Sequence, residues 1–162
     1  NEEVKNSFLT FLASAYANYS VDQTTTIRDS MIEQIQEGDS EGFTRNVRTL
    51  LANVPYFMHV KSERYYHSLF LVWLKMLGFD VHGEVLTNNG RIDAVWQQSN
   101  LTVVAELKYH VATNIESLLN EAMTQINDKK YYEKYADKKV ILLAVAFSGR
   151  DVKCQFETVV NN

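Results

Sequence analysis

The sequence predicts an α/β fold, with a mixed central sheet flanked by helices and an α-helical N-terminal segment. Two observations predict it. Three strand-like segments follow one another through short turns, which is typical of an antiparallel meander. A long helical segment then leads to a further strand, and such a helical crossover joins parallel strands. With 162 residues, of which 46% are apolar and 22% charged, the chain is long enough to bury a core.

Apolar residues recur at helical spacing in the N-terminal third of the chain. Asp39 and Ser40 are helix-capping residues, and Pro55 pushes the residue before it out of helical geometry. Helices are therefore predicted over residues 2–18, about 27–36, and from Asp39 or Ser40 to just before Pro55, with a threonine-rich turn over 21–26. We place a domain boundary there, between a helical connector over residues 1–54 and an α/β domain over residues 55–162.

The second part of the chain alternates between helical and strand patterns. Ser62 and Gly78 have the residue types of a helix N-cap and C-cap, and Asn88-Asn89-Gly90 is a hairpin turn signal. The predicted elements are a helix over 63–77, strands over 79–86, 91–97 and 101–109, a helix over 114–136, and strands over 140–147 and 152–159.

Charge and cysteine content exclude several classes of protein. The chain has 16 Lys and Arg against 20 Asp and Glu, a net charge of −4, so it is not a basic domain that coats nucleic acid by charge alone. Its one cysteine cannot form an internal disulfide, and a reducing, cytoplasmic setting is expected. The apolar stretch over 140–147 is far shorter than a membrane span, so no membrane partner is expected.

Charged residues occur in a strand that is otherwise apolar enough to be central. Glu106 and Lys108 are two residues apart, so both side chains lie on one face of the sheet. Burying a carboxylate and an amine is costly unless they are paired or hold a metal. A structural ion pair near the strand end is the alternative.

The preceding strand carries Asp93, a residue type disfavoured in strands. Alternation puts Ile92, Ala94 and Trp96 on one face and Asp93 on the other. If the two strands are hairpin neighbours, Asp93 approaches Glu106, and two close carboxylates repel unless a cation lies between them. Such oxygen ligands suit Mg²⁺. The alternative is a solvent-facing Asp at a strand end.

Two helices carry further candidates. Glu63 and His67 are one turn apart on the predicted core-facing side of the helix over 63–77, either as a structural pair or as a source of a further carboxylate. Gln125 and Lys129 lie four residues apart along one edge of the helix over 114–136, where an amide and an amine suit a phosphate. Lysines and tyrosines cluster after Lys129, as a phosphate-contacting patch or simply as a solvated face.

Taken together, these residues resemble the PD-(D/E)XK nuclease superfamily, and more narrowly the nuclease domain found C-terminal to AAA-ATPase-like domains in bacterial proteins. The resemblance covers about residues 55–156 and is carried by Glu63, Tyr66-His67, Glu84, Gly90-Arg91-x-Asp93, Glu106-x-Lys108, Gln125-Ile126 and Tyr131. The chain has Ile92-Asp93 where the family signature has Pro-Asp, and Lys129 where a tyrosine is common, with Tyr131 following instead.

The resemblance implies a restriction-endonuclease-like fold and a Mg²⁺- or Mn²⁺-dependent nuclease. It implies that Asp93 and Glu106 hold the metal, that Glu63 completes the site and that Lys108 positions the attacking water. Gln125 is then a further catalytic residue. His67, Arg91, Lys129 and Tyr131 are the substrate-binding candidates. The implied partners are nucleic acid, expected to be DNA, and an upstream ATPase-like domain of the same polypeptide.

Three other readings remain open at this point. The chain is a catalytically silent nucleic-acid-binding module, an interaction domain that regulates an ATPase, or an enzyme with another substrate on the same scaffold, since fold does not fix function. Divalent cation binding at Asp93 and Glu106 separates the nuclease from the interaction domain.

Overall fold

A computed structural model describes residue 2 and residues 19–54, 59–135, 137–149 and 151–159. Over these residues the chain forms a mixed five-stranded sheet with helices packed on both faces. The α/β fold predicted from the sequence is confirmed, and the architecture is consistent with a restriction-endonuclease-like fold. Apart from residue 2, the predicted helix over 2–18 lies outside the described residues, as does the segment over 55–58.

The first two helices are α1 (Val21–Glu37) and α2 (Ser40–Asn53). The turn predicted over 21–26 is wrong, because these residues form the start of α1. Ser20 caps the helix in a reciprocal capping box with Gln23, and the Thr24 and Thr26 hydroxyls donate to carbonyls four residues earlier. The predicted cap of the next helix is confirmed, since the Asp39 carboxylate accepts from the Gly42 amide.

Two helices flank the strands of the second part, α3 (Glu63–Met76) and α4 (Ile115–Lys129). The helix predicted over 114–136 is too long. Lys130 adopts a left-handed backbone with φ of 50° and ends α4, and a short 3₁₀ helix follows over Tyr131–Tyr135. The N-cap of α4 is Asn114, whose side chain accepts from two backbone amides.

The sheet contains β1 (Val81–Thr87), β2 (Gly90–Gln98), β3 (Leu101–His110), β4 (Lys139–Ser148) and β5 (Asp151–Thr158). Its order is β1-β2-β3-β4-β5. The first three strands form an antiparallel meander, β3 and β4 are parallel, and β5 returns antiparallel to β4. The crossover between the parallel pair contains α4, as the order of elements predicts.

Each face of the sheet has its own apolar layer. On one face α1, α2 and α3 share a single core with Ala94, Trp96 and Leu107. On the other face α4 packs on Val95, Val104 and β4. Ile92 lies in the α4 layer, so the prediction that Ile92 shares a face with Ala94 and Trp96 is wrong. The alternation of β2 is interrupted between Ile92 and Ala94, next to Asp93.

Within the described ranges, no helix combines the length and the apolar character needed to cross a bilayer.

Candidate active site

Strands β2 and β3 separate in the middle of the sheet. Their pairing runs from Gln98 and Leu101 to Ala94 and Ala105 and ends there, although β2 continues back to Gly90 and β3 onward to His110. Past this point the edge of β3 that faces β2 loses its ladder partner, while β4 stays paired to the other edge of β3 along its whole length. A cleft therefore opens within the sheet beside the second half of β3.

Two carboxylates replace the missing ladder partner. The Leu107 amide donates to Asp93 Oδ2 over 2.9 Å, and the Tyr109 amide donates to Glu63 Oε2 over 3.4 Å. Unpaired backbone amides in a sheet interior are costly, so these contacts stabilise the separated strands. They also bring a carboxylate from β2 and one from the first turn of α3 to the same strand edge.

Glu106 directly precedes Leu107 on β3 and is almost fully buried, with 3% of its surface exposed. Its Oε1 accepts a hydrogen bond of 2.5 Å from Gln125 Nε2 on α4. Lys108 Nζ lies 3.9 Å from the same oxygen, as expected for residues i and i+2 on one face. The other carboxylate oxygen, Oε2, is buried and finds no hydrogen-bond partner among the described residues.

The environment of Glu106 disfavours its charged form. Burial, followed by the charge of Asp93, raises the pKa of Glu106 to about 8, and the Glu63 carboxylate acts in the same direction. Lys108 opposes this pKa rise, while a hydrogen bond to Asp93 in the protonated form adds to it. Asp93 and Glu106 are therefore near neighbours, and Lys108 only partly offsets the unfavourable ionisation of the pair.

Tyr131 lies beside Gln125, Glu106 and Asp93. It is buried, and burial raises the pKa of its hydroxyl, while a hydrogen bond from Gln125 opposes that shift. Its hydroxyl lies against the backbone of β2, since a Cβ added at Gly90 would be 3.2 Å from the Tyr131 oxygen. Lys134 in the same 3₁₀ helix donates to the Leu86 carbonyl. The 3₁₀ helix thus attaches to the β1–β2 hairpin.

Of the three other predicted site residues, His67 contacts the site, whereas Arg91 and Lys129 lie at the surface. His67 Nε2 lies 2.7 Å from the Asp93 carbonyl oxygen, so it contacts the backbone of the site. His67 and Glu63 bond to different strands, His67 to β2 and Glu63 to β3. Arg91 Nη1 lies 3.7 Å from Glu84 Oε1 at the surface, and Lys129 is exposed on the last turn of α4. The substrate-binding roles assigned to these residues stay predictions.

The donor set fits a small divalent cation. Asp93 and Glu106 present hard oxygen ligands, and Mg²⁺ is bound through one or two carboxylates, with water and phosphate filling the remaining positions. The Oε2 of Glu106 is buried and has no hydrogen-bond partner in the described part of the chain, so it is the oxygen available to a cation. Across the described ranges, no three His, Cys, Asp or Glu side chains converge into a group that could hold a metal. The role of Glu63 as a third ligand therefore stays a prediction.

Sequence reasoning missed the main-chain part of this site. The amides of Leu107 and Tyr109 hold Asp93 and Glu63 in place, and no sequence pattern marks a strand whose ladder ends halfway. Reasoning from the sequence also missed that Lys134 joins the hairpin. The clustering of lysines and tyrosines after α4 was the available signal for that segment.

The comparisons with known proteins agree with this geometry. A family model described as the PD-(D/E)XK nuclease superfamily matches residues 61–157, which is more than half of the chain. The match includes α3, α4, the first four strands and β5 up to residue 157, and therefore every predicted site residue. No curated protein matches the chain.

Proposed function

The chain belongs to the PD-(D/E)XK nuclease superfamily, and from this premise we propose that it is a divalent-metal-dependent nuclease that hydrolyses phosphodiester bonds of DNA. One observation carries the proposal. The buried Glu106 carboxylate, next to Asp93, has an oxygen with no hydrogen-bond partner among the described residues, and burial together with Asp93 outweighs the nearby charge of Lys108, so further positive charge is needed to hold the pair ionised. A cation shared by the two carboxylates supplies that charge.

Asp93 and Glu106 are the proposed metal ligands, with Mg²⁺ or Mn²⁺ as the cation. Asp93 uses Oδ2 for the Leu107 amide, which leaves Oδ1 for the metal. Glu106 uses Oε1 for Gln125, which leaves Oε2. Glu63 is proposed to complete the site from α3, through the oxygen that does not accept from Tyr109. When bound, the cation would neutralise phosphate charge and polarise the scissile phosphorus–oxygen bond.

Lys108 is proposed to act on the attacking water. Its amine is largely buried, with 18% of the side chain exposed, and lies beside Glu106. An amine held there can hydrogen-bond a water and offset negative charge as the phosphate is attacked. No covalent intermediate with the protein is required, because water is the nucleophile.

Gln125 is proposed to orient the site rather than to bind substrate. It donates both to Glu106 and to the Tyr131 hydroxyl, so its amide is committed within the protein. The hydrogen bond from Gln125 holds Oε1 of Glu106 toward α4. An upstream ATPase-like domain in the same polypeptide is part of the proposal on the strength of the resemblance alone.

The test is cleavage of supercoiled plasmid DNA by the purified chain with Mg²⁺ or Mn²⁺. We expect nicked and linear products, loss of cleavage in Asp93→Asn and Lys108→Ala, and retention of cleavage in Lys153→Ala. Lys153 is the matched control because it lies on the edge strand β5, two strands from Lys108, and pairs with Glu116 at the surface. Equal cleavage by Asp93→Asn and the parent protein would refute the proposal. DNA binding without any cleavage would favour a silent binding module instead.

A further inference from the structure

At Asp93, strand β2 is paired neither with β1 nor with β3. On the β1 side, pairs form between Gly83 and Ala94 and between Val85 and Ile92, but Glu84 and Asp93 between them are not paired. On the β3 side, the ladder ends at Ala94. The constant register on the β1 side means that no residue is inserted. The backbone of β2 is instead rotated locally, which also explains why Ile92 and Ala94 pack in different layers.

The residue opposite Asp93 adopts a conformation that is rare in a strand. Glu84 has a φ of 56°, in the left-handed region that non-glycine residues seldom adopt. Such a residue costs on the order of 1 kcal/mol and persists where the surrounding structure requires it. Its side chain is exposed, and its one ion pair with the described residues is a long one to Arg91. Glu84 therefore has few contacts of its own that account for this backbone conformation.

Helix α3 provides the hydrogen-bond donor for the Asp93 carbonyl, which is not paired with β1. His67 Nε2 lies 2.7 Å from the Asp93 carbonyl oxygen. A carbonyl only accepts hydrogen bonds, so Nε2 carries the proton and donates. One turn later on the same helix, Leu71 contacts β1 where that strand has no side chain, since a Cβ at Gly83 would be 2.6 Å from a Leu71 methyl group. This close approach of α3 brings His67 within reach of β2.

These contacts determine where the Asp93 carboxylate points. With its carbonyl held by His67 on the α3 side, the side chain of Asp93 turns into the gap between the separated strands. There it accepts from the Leu107 amide and faces Glu106. In a regular ladder the Asp93 carbonyl would be used by β1, and alternation would project the carboxylate out of the sheet plane.

We propose that His67 is a positioning residue, which together with the left-handed Glu84 backbone holds the local rotation of β2 that directs Asp93 toward Glu106. The importance of this for catalysis depends on the proposed nuclease function. The positioning itself does not. His67 was a substrate-binding candidate on sequence grounds, and its bond to the Asp93 carbonyl indicates a role within the protein instead.

The test compares His67→Leu with His67→Gln, in which the side-chain amide can still donate to the carbonyl. The first readout is hydrogen exchange of the Leu107 amide by NMR without metal. We expect His67→Leu to speed this exchange about tenfold or more, the factor that corresponds to loss of one hydrogen bond, and His67→Gln to stay close to wild type. The second readout is Mn²⁺ binding, which we expect to weaken in His67→Leu and to recover in His67→Gln.

A second pair of variants tests the same inference at an exposed position. Glu84→Gly suits the left-handed backbone and should leave Leu107 exchange unchanged, whereas Glu84→Val, a β-branched residue, should speed it. Unchanged Leu107 exchange in both His67→Leu and Glu84→Val would overturn the proposal. If the wild-type chain bound no Mn²⁺ and cleaved no DNA, the proposed function would fail, and the exchange results would still decide the positioning role.

Discussion

Replacing Glu106 with glutamine removes the buried charge of the candidate site and keeps the shape of the side chain. Glutamine still offers an oxygen to Gln125 Nε2, so the 2.5 Å contact seen for Glu106 Oε1 can be retained. The variant therefore isolates the free energy of ionising this carboxyl in the folded protein. We measure the free energy of unfolding against pH in the presence of a metal chelator.

The magnitude follows from the titration of Glu106. Burial and the charge of Asp93 raise the pKa of Glu106 from its ordinary 4.5 to about 8. The folded protein thus holds a proton that the unfolded chain has released. The stability associated with that proton is complete below about pH 4.5 and is lost as the pH rises through about 8. The loss reaches about 5 kcal/mol.

Glu106→Gln has no such titration, so its unfolding free energy relative to wild type should rise by up to about 5 kcal/mol across this pH range. In a chain of this length that is a difference of roughly 10–20 °C in Tm. The matched control is Glu121→Gln on the exposed face of α4, which should stay within about 0.5 kcal/mol of wild type. Parallel curves for Glu106→Gln and wild type would refute the assigned environment of Glu106.

The remaining predictions concern the residues around Glu106 and the exposed cations. Gln125→Ala removes the donor to a buried carboxylate and should lower the unfolding free energy by about 1–3 kcal/mol, more at high pH than at low pH; equal stability at both pH values in chemical denaturation would contradict this. If Arg91 and Lys129 contact phosphates, Arg91→Ala and Lys129→Ala should each weaken DNA binding and lower the salt dependence of log K by about one. An unchanged salt slope in fluorescence anisotropy would exclude these two residues from the DNA interface.

The order of elements could be predicted because it rests on local signals. The Asn-Gly turn, the helix cap at Asp39 and the strand alternation are all set by neighbouring residues. The error at residues 21–26 arose because threonine is a poor helix former in general, whereas here Ser20 and Gln23 form a capping box. The early end of α4 had no glycine or proline to mark it, since Lys130 itself adopts the left-handed conformation.

The candidate site could be predicted in part for a similar reason. Glu106 and Lys108 share a face by alternation alone, and the hairpin order brings Asp93 close to Glu106. The separation of β2 from β3 could not be predicted, because alternation assumes a continuous ladder. It depends on the Leu107 and Tyr109 amides meeting carboxylates from elsewhere in the fold.

The described part of the connector assigned to residues 1–54 packs on the sheet. Met31, Phe43 and Val47 belong to the same core as α3 and the strands. Thr44 exchanges hydrogen bonds with the backbone of Cys154 on β5. The link from this segment to an upstream domain stays a prediction.

The central claim is that Asp93 and Glu106 share one divalent ion, and direct Mn²⁺ titration followed by electron paramagnetic resonance tests it most closely. We expect one bound ion per chain, with binding that tightens as the pH rises through about 8, because the proton on Glu106 must leave first. We also expect loss of that ion in both Asp93→Asn and Glu106→Gln. The same Mn²⁺ affinity in wild type and in both variants would contradict the account.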